Sequence, residues 1–306
     1  MRLMIDMGNS SIKWATLEQD RLSSQQRIAY DNLENQFTQA WLQLEKPLSI
    51  WVSNVAGPTK ADILNQWVKT HWGLTPTFVK TARHQCGVTN GYEHAEQLGV
   101  DRWLALIGAY HLYSAPTPIG RSFWNKFCLS TEKSRICVVD CGTAVTLDVL
   151  SAEGQHLGGL IMPGVTTMCH ALKTDTYALE PLNTLPVDEK LFDNEVKSPN
   201  QISDNNNNFS TNWFFQSGSS TEPMKGFSDK LLAHNTQAGI TLGSLYAVIG
   251  LLEYVINTLE KQGNQIKLIL TGGSVPVLEF FVKTRSYQLI PELVLLGLVA
   301  VANQSL

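Results

Sequence analysis

The chain has 306 residues, 43% hydrophobic and 16% charged, the balance of a folded protein long enough for two domains rather than a disordered one. Its formal net charge of −4 provides no global basic footprint and argues against a nucleic-acid or anionic-membrane partner. The five cysteines Cys86, Cys128, Cys137, Cys141 and Cys169 are an odd set with no Cys-x-x-Cys pair; they read as buried free thiols in a reducing, cytoplasmic compartment.

Arg2 is the only base near the amino terminus, and Asp6 interrupts the short apolar run there, so neither a signal peptide nor an anchor is expected. "LMIDMGNSSIKWATL" reads as a strand about Leu3–Ile5, a Gly-Asn-Ser turn and a second strand over Ile12–Leu17. Two readings of Asp6–Lys13 stay open. One is an ordinary hairpin turn in which Gly8 supplies a positive φ. The other is a nucleotide site: turn amides cradle phosphate oxygens, Asn9 and Ser10 add donors, Asp6 holds Mg²⁺ directly or through water, and Lys13 lies against the phosphates.

"LSIWVSNVA" (48–56) reads as a strand ended by a Gly57-Pro58 break, and 60–72 as a helix with Ile63, Trp67 and Val68 on one face. "PTFVKTA" reads as another strand, and 101–113 as an apolar helix. Strands alternating with helices predict an α/β architecture. In "EQLGVDRWLALIGAY", Asp101 suits a helix's first turn, whereas Arg102 does not and sits among Trp103, Leu104 and Leu106. Beside the plain helix start stands a chemical reading, with Asp101 as a base and Arg102 as a fork for a carboxylate.

Residues 115–134 mix Pro, Gly and polar residues and read as a connector or insertion between a first domain, 1–114, and a second, 135–306. "RICVVDCGTAVTLDVL" reads as a buried strand pair interrupted by Asp140, whose burial a cation or hydrogen-bond donors would compensate; Thr143 offers a hydroxyl to phosphate. "VDCGTAV" (139–145) echoes "IDMGNSS" (5–11), each between strand-like runs, which suggests two related halves facing each other. The segment 193–226, with Asn205–Asn208, reads as a long mobile loop, and regular structure is expected again from about Leu231. "LILTGGSVP" adds a third strand ending in glycines. No uncharged apolar run approaches the roughly 18–20 residues of a membrane span. His94, His170 and His234 are assigned no catalytic role, and the tryptophans read as core.

Together "DMGNSSIKW", "NGYEHAEQLGVDRW", "DCGTAVTLD", "GGLIMPG", "NTQAGITLGSLY", "TGG" and "PELVLLGLVAV" resemble, in order and spacing, the type III pantothenate kinase family. The resemblance implies two ribonuclease-H-like α/β domains of the actin, Hsp70 and sugar-kinase fold, with mixed sheets and ATP in the cleft. It implies transfer of phosphate from ATP to pantothenate, giving 4′-phosphopantothenate on the way to coenzyme A, by a cytoplasmic homodimer. By motif, Asp6, Met7, Gly8, Asn9, Ser10, Ser11, Ile12, Lys13 and Thr143 would bind ATP, with Mg²⁺ near Asp6. Tyr92, Gly99, Val100, Asp101, Arg102 and Thr236 would bind pantothenate, with Asp101 as catalytic base. Asp140 would hold a monovalent cation, K⁺ or NH₄⁺. The alternatives are a sugar or acetate kinase of the same superfamily, or a transcriptional regulator of the Bvg-accessory-factor kind.

Overall fold

Two sheets carry the fold, in a computed structural model that describes residues 1–113, 134–175, 232–275, 278 and 285–305. The segment 193–226, and 115–134 apart from Ser134, lie outside the described residues. The chain divides into two compact units, Met1–Gly164 with Val248–Leu306, and Val165–Ala247.

The first sheet contains β1 (Arg2–Met7), β2 (Ser11–Glu18), β3 (Arg21–Leu22), β4 (Gln26–Ala29), β5 (Ile50–Asn54) and β6 (Thr77–Phe78). A small ribbon, β7 (His84–Gln85) and β8 (Val88–Thr89), follows. The second large sheet contains β9 (Arg135–Cys141), β10 (Ala144–Leu150), β11 (His156–Pro163), β12 (Ile266–Thr271) and β13 (Tyr287–Leu289). The strand orders are β3-β2-β1-β5-β6 and β11-β10-β9-β12-β13, so both sheets follow the same third-second-first-fourth-fifth path, with β4 an addition beside β2. In each, the first strand pairs antiparallel with the second and parallel with the fourth. The sheets are therefore mixed, and the echo seen in the sequence is a repeated hairpin.

Side-chain alternation along β1 divides its residues between two cores. Leu3, Ile5 and Met7 pack with α1 (Leu33–Trp41) and α2 (Pro58–Trp72) in an aromatic cluster of Phe37, Trp41, Trp67 and Trp72. Met4 enters the other core, with Leu17, Ile136, Val138 and Ile269 from both sheets. That core also contains α3 (Val100–Tyr113) and α6 (Leu293–Gln304). Both helices are apolar nearly all round, as a fully buried helix must be, and α6 is buried from Leu293 to Ala302 without a break.

One expectation is extended and two are corrected. Gly57-Pro58 does not only end a strand: Gly57, at φ +93°, turns the chain, and Pro58 opens α2, where its fixed φ and missing N–H suit the first helical turn. Of "PTFVKTA" only Thr77–Phe78 pairs as a strand. Between α4 (Val165–Asp175) and β12, α5 runs from Thr236 to Lys261, long and apolar enough by composition to cross a membrane. The expectation counted uncharged residues, and Glu253 interrupts that count without interrupting the helix. One such helix is weak evidence for a membrane span, since a core helix passes the same test.

Candidate active site

The turn between β1 and β2 is closed by Gly8 N–H donating to Ser11 O at 3.1 Å, which leaves Asn9 and Ser10 exposed at its tip. Gly8 does not take a positive φ, contrary to the sequence expectation. Tyr30 Oη donates to Gly8 O, and Lys60 Nζ sits 3.6 Å above the Tyr30 ring. Because the peptide unit is planar and trans, holding that carbonyl sends the Asn9 N–H to the opposite side. Met7 and Ile12 commit their side chains to the core, so only their backbone can meet a ligand. Ser11 Oγ accepts from Arg27 Nε at 2.9 Å and is likewise engaged. Lys13 stands directly opposite Asp6 across the ladder, on the same face.

The equivalent turn between β9 and β10 approaches the first. Thr143 Oγ1 lies 2.7 Å from Ser10 Oγ, both hydroxyls being exposed. Asp140 is paired in register with Thr271 at the end of β12. The next residue, Gly272, has φ +97°, and a Cβ there would lie 2.4 Å from both Asp140 Oδ1 and Cys141 O. The glycine after β12 therefore makes room for the Asp140 carboxylate.

Asp101 enters from the first turn of α3. Its Oδ1 accepts from the Arg102 N–H at 2.8 Å, and a Cβ on Gly99 would sit 2.6 Å from that oxygen. Burial pushes the Asp6 carboxyl up to about 6, against the pull of Lys13 and with added pressure from Asp101 and Asp140. Burial also raises Asp101, opposed by the Arg102 N–H and charge. Burial raises Asp140, where Lys13 again opposes and Asp101 adds to the rise. Asp6 and Asp140 thus both feel the Lys13 ammonium and the Asp101 carboxylate, and the buried Asp6 Oδ1 has no hydrogen-bond partner. An acceptor-only oxygen left so is suited to a cation. Among the described residues no three His, Cys, Asp or Glu side chains form a metal cluster. A single such oxygen fits a divalent ion held largely by water and phosphate oxygens.

The Arg102 fork meets a carboxylate of the chain itself. Nε and Nη2 donate to Asp148 Oδ2 and Oδ1 at 2.8 and 2.7 Å, and Nη1 donates to Tyr92 Oη at 3.0 Å. The fork expected to meet a carboxylate is thus engaged in part by the chain's own, since a buried guanidinium needs its own counter-charge. His156, which also reaches Asp148, and Asp148 itself were missed in the sequence, although Asp148 too is an acid inside an apolar strand. Tyr92, Gly99, Val100, Asp101 and Arg102 thus sit along one loop and helix start, in the same unit as Asp6–Lys13, Asp140 and Thr143. Thr236 is not among them; it opens α5 in the other unit and is exposed. The described cysteines, Cys86, Cys137, Cys141 and Cys169, are free and buried; Cys128 lies outside the described residues.

A family model for type III pantothenate kinase matches residues 2–198. A type III pantothenate kinase of Nitrosococcus oceani is 30% identical over 309 residues, covering 100% of this chain and 95% of the relative. One from Burkholderia multivorans is 31% identical over 274 residues, covering 89% of this chain and 85% of the relative. The solved structure of a putative 2-dehydro-3-deoxygalactonokinase from Sinorhizobium meliloti superposes with a TM-score of 0.51 at 12% identity, covering 100% of this chain and 99% of that one. That likeness is one of fold alone. With the repeated strand order, it bears out two ribonuclease-H-like α/β halves with mixed sheets.

Proposed function

The chain belongs to the type III pantothenate kinase family, and we propose that the strand-end site phosphorylates pantothenate with ATP and a divalent metal to give 4′-phosphopantothenate, a step towards coenzyme A. The observation that carries the proposal is the gathering of Lys13, Asp101 and Asp140 around Asp6, beside the two hydroxyl-bearing turns. Asp101 accepts the proton of the pantothenate primary hydroxyl as its oxygen bonds the γ-phosphorus in line and the bond to ADP breaks. Its raised pKa brings it nearer the operating pH of a general base, a role worth roughly 10²–10⁴-fold. Because phosphoryl transfer is loose, most of the rate comes from positioning and charge. The backbone of Asp6–Lys13 and the Ser10 and Thr143 hydroxyls orient the phosphates, and Lys13 offsets their charge.

Asp6 holds Mg²⁺ directly or through water; the ion supplies charge stabilisation on the phosphoryl oxygens. Asp140 holds K⁺ or NH₄⁺, for which its burial beside Asp101 is the support. Replacing both ions by Na⁺ in the assay is expected to lower activity sharply, and full activity in Na⁺ would remove Asp140 from this role. On the acceptor side, Gly99 and Val100 line the approach to Asp101. The Nη1 edge of Arg102, with Tyr92, meets the pantothenate carboxylate. The enzyme works in the cytoplasm as a homodimer.

ADP release measured with pantothenate, hexoses and acetate in turn tests the acceptor. Pantothenate alone should support turnover, and Asp101→Asn should lower kcat by at least about 10²-fold while leaving ATP binding intact. Turnover on a hexose or acetate instead would favour the sugar or acetate kinase alternative. The Bvg-accessory-factor-like regulatory alternative is not favoured, given the family and a net charge of −4.

A further inference from the structure

Asp148 lies behind the acceptor side, 2% exposed in the middle of β10. It accepts three hydrogen bonds, two from Arg102 and one from His156 Nε2 at 3.0 Å. A carboxylate only accepts, so the imidazole carries its proton on Nε2. His156, itself buried, also stacks on the Tyr92 ring, with centroids 5.6 Å apart and planes at 21°. Tyr92 is thus held at its hydroxyl by Arg102 and along its face by His156, and both of those are held by Asp148. The backbone closes tightly over this arrangement. A Cβ at Gly159 would lie 2.1 Å from Asp148 Oδ1 and 2.5 Å from Arg102 Nη2, and one at Gly91 would lie 2.0 Å from His156 O.

A buried ion pair is a poor way to gain stability, since apolar residues of similar volume often do as well or better. This one adjoins Asp101 and uses two of the residues assigned to the acceptor. We propose that Asp148 is a positioning residue for acceptor binding, fixing Arg102 directly and Tyr92 through His156 so that one guanidinium edge and one phenol face the acceptor carboxylate. Three of the five guanidinium N–H groups are engaged by Asp148 and Tyr92, so recognition of that carboxylate falls to the remaining Nη1 and Nη2 protons rather than to a symmetric fork. The inference rests on Asp101–Arg102 forming the acceptor side.

Steady-state kinetics of Asp148→Asn, His156→Ala and His156→Gln, with thermal melting of each, test it. Asp148→Asn keeps the shape but removes the charge, and is expected to raise the KM for pantothenate by about tenfold or more while the KM for ATP stays within about twofold. His156→Ala should do the same more weakly. His156→Gln, whose amide nitrogen can replace Nε2 as a donor, should recover part of the loss. A purely structural residue would lower the melting temperature and leave the pantothenate KM of the folded fraction unchanged, and that result overturns the proposal. If Asp148→Asn does not fold, the two His156 variants decide on the same KM comparison. If no variant folds, the cluster is core and the proposal falls. Wild-type protein without pantothenate-dependent ADP release would instead overturn the acceptor assignment beneath it.

Discussion

Asp6 stands one residue before the end of β1, on the face shared with Met4, where its carboxyl is buried and raised to about 6. Between its unfolded value of 3.8 and about 6 the folded chain keeps a proton that the unfolded chain releases. The stability associated with that proton is fully present below the unfolded value and is lost as pH rises through about 6. A difference of about two units corresponds to about 3 kcal/mol withheld at neutral pH. Asp6→Asn is therefore expected to melt at a higher temperature than wild type at pH 7.5 without ligand, to converge with it near pH 4, and to lose kinase activity. Melting curves between pH 4 and 8 check this; an unchanged pH dependence in the variant would show that Asp6 does not carry the charge. Asp6 and Asp140 were legible in the sequence because an acid inside an apolar strand demands a reason. Asp148 is the same kind of signal, but its partner Arg102 lies 46 residues away. A buried arginine announces that it needs a carboxylate without naming which one, so the sequence reading assigned the substrate's.

The elements that set the site are α3 and α6, and they cross glycine to backbone. A Cβ on Gly108 would lie 2.5 Å from Leu293 O, and one on Gly297 would lie 2.0 Å from Leu104 O. The contact atoms are main-chain carbonyls, which cannot swing away as a side chain would. Gly297→Ala must therefore separate the helices, although alanine is intrinsically the better helix former. Overpacking of this kind costs about 1–3 kcal/mol. Because α3 begins at Val100 and carries Asp101 in its first turn, the same shift should also lower kcat. Urea unfolding and steady-state assays of Gly297→Ala check both; unchanged stability would mean that the crossing has slack. The helical pattern at 101–113 was plain in the sequence, since apolar residues fill every face. Which element it would pack against was not, because a helix buried all round has no single apolar stripe to indicate its partner. The short β6 shows the opposite limit: β-branched residues at 76–82 suggested a longer strand, and pairing with β5 reaches only Thr77 and Phe78.

At the scale of the molecule, the echo between 5–11 and 139–145 corresponds to two sheets that follow the same strand path, β4 apart, each presenting its first hairpin turn at the site. Local chemistry was enough to see it, because Asp, Gly and a small hydroxyl recur at the same offset between strands. How the edges of those sheets are protected was not legible, since exposure depends on which strand ends up outermost. In the second sheet one of the two edge strands is β11, and it leaves Leu157, Leu160 and Ile161 exposed, Ile161 by 63%. An apolar edge strand invites pairing with another chain unless it is covered, and the proposed homodimer would cover this one with its second copy. A glutamate at Ile161 would place a charge in such an interface while leaving the core untouched, as the side chain is already turned to solvent in the single chain. Ile161→Glu is thus expected to sediment as a monomer at micromolar concentration where wild type sediments as a dimer, with little change in the melting of the isolated subunit. A variant that remains dimeric would move the interface off β11. A monomeric wild type would remove the homodimer altogether, leaving these apolar side chains to be explained by a different partner.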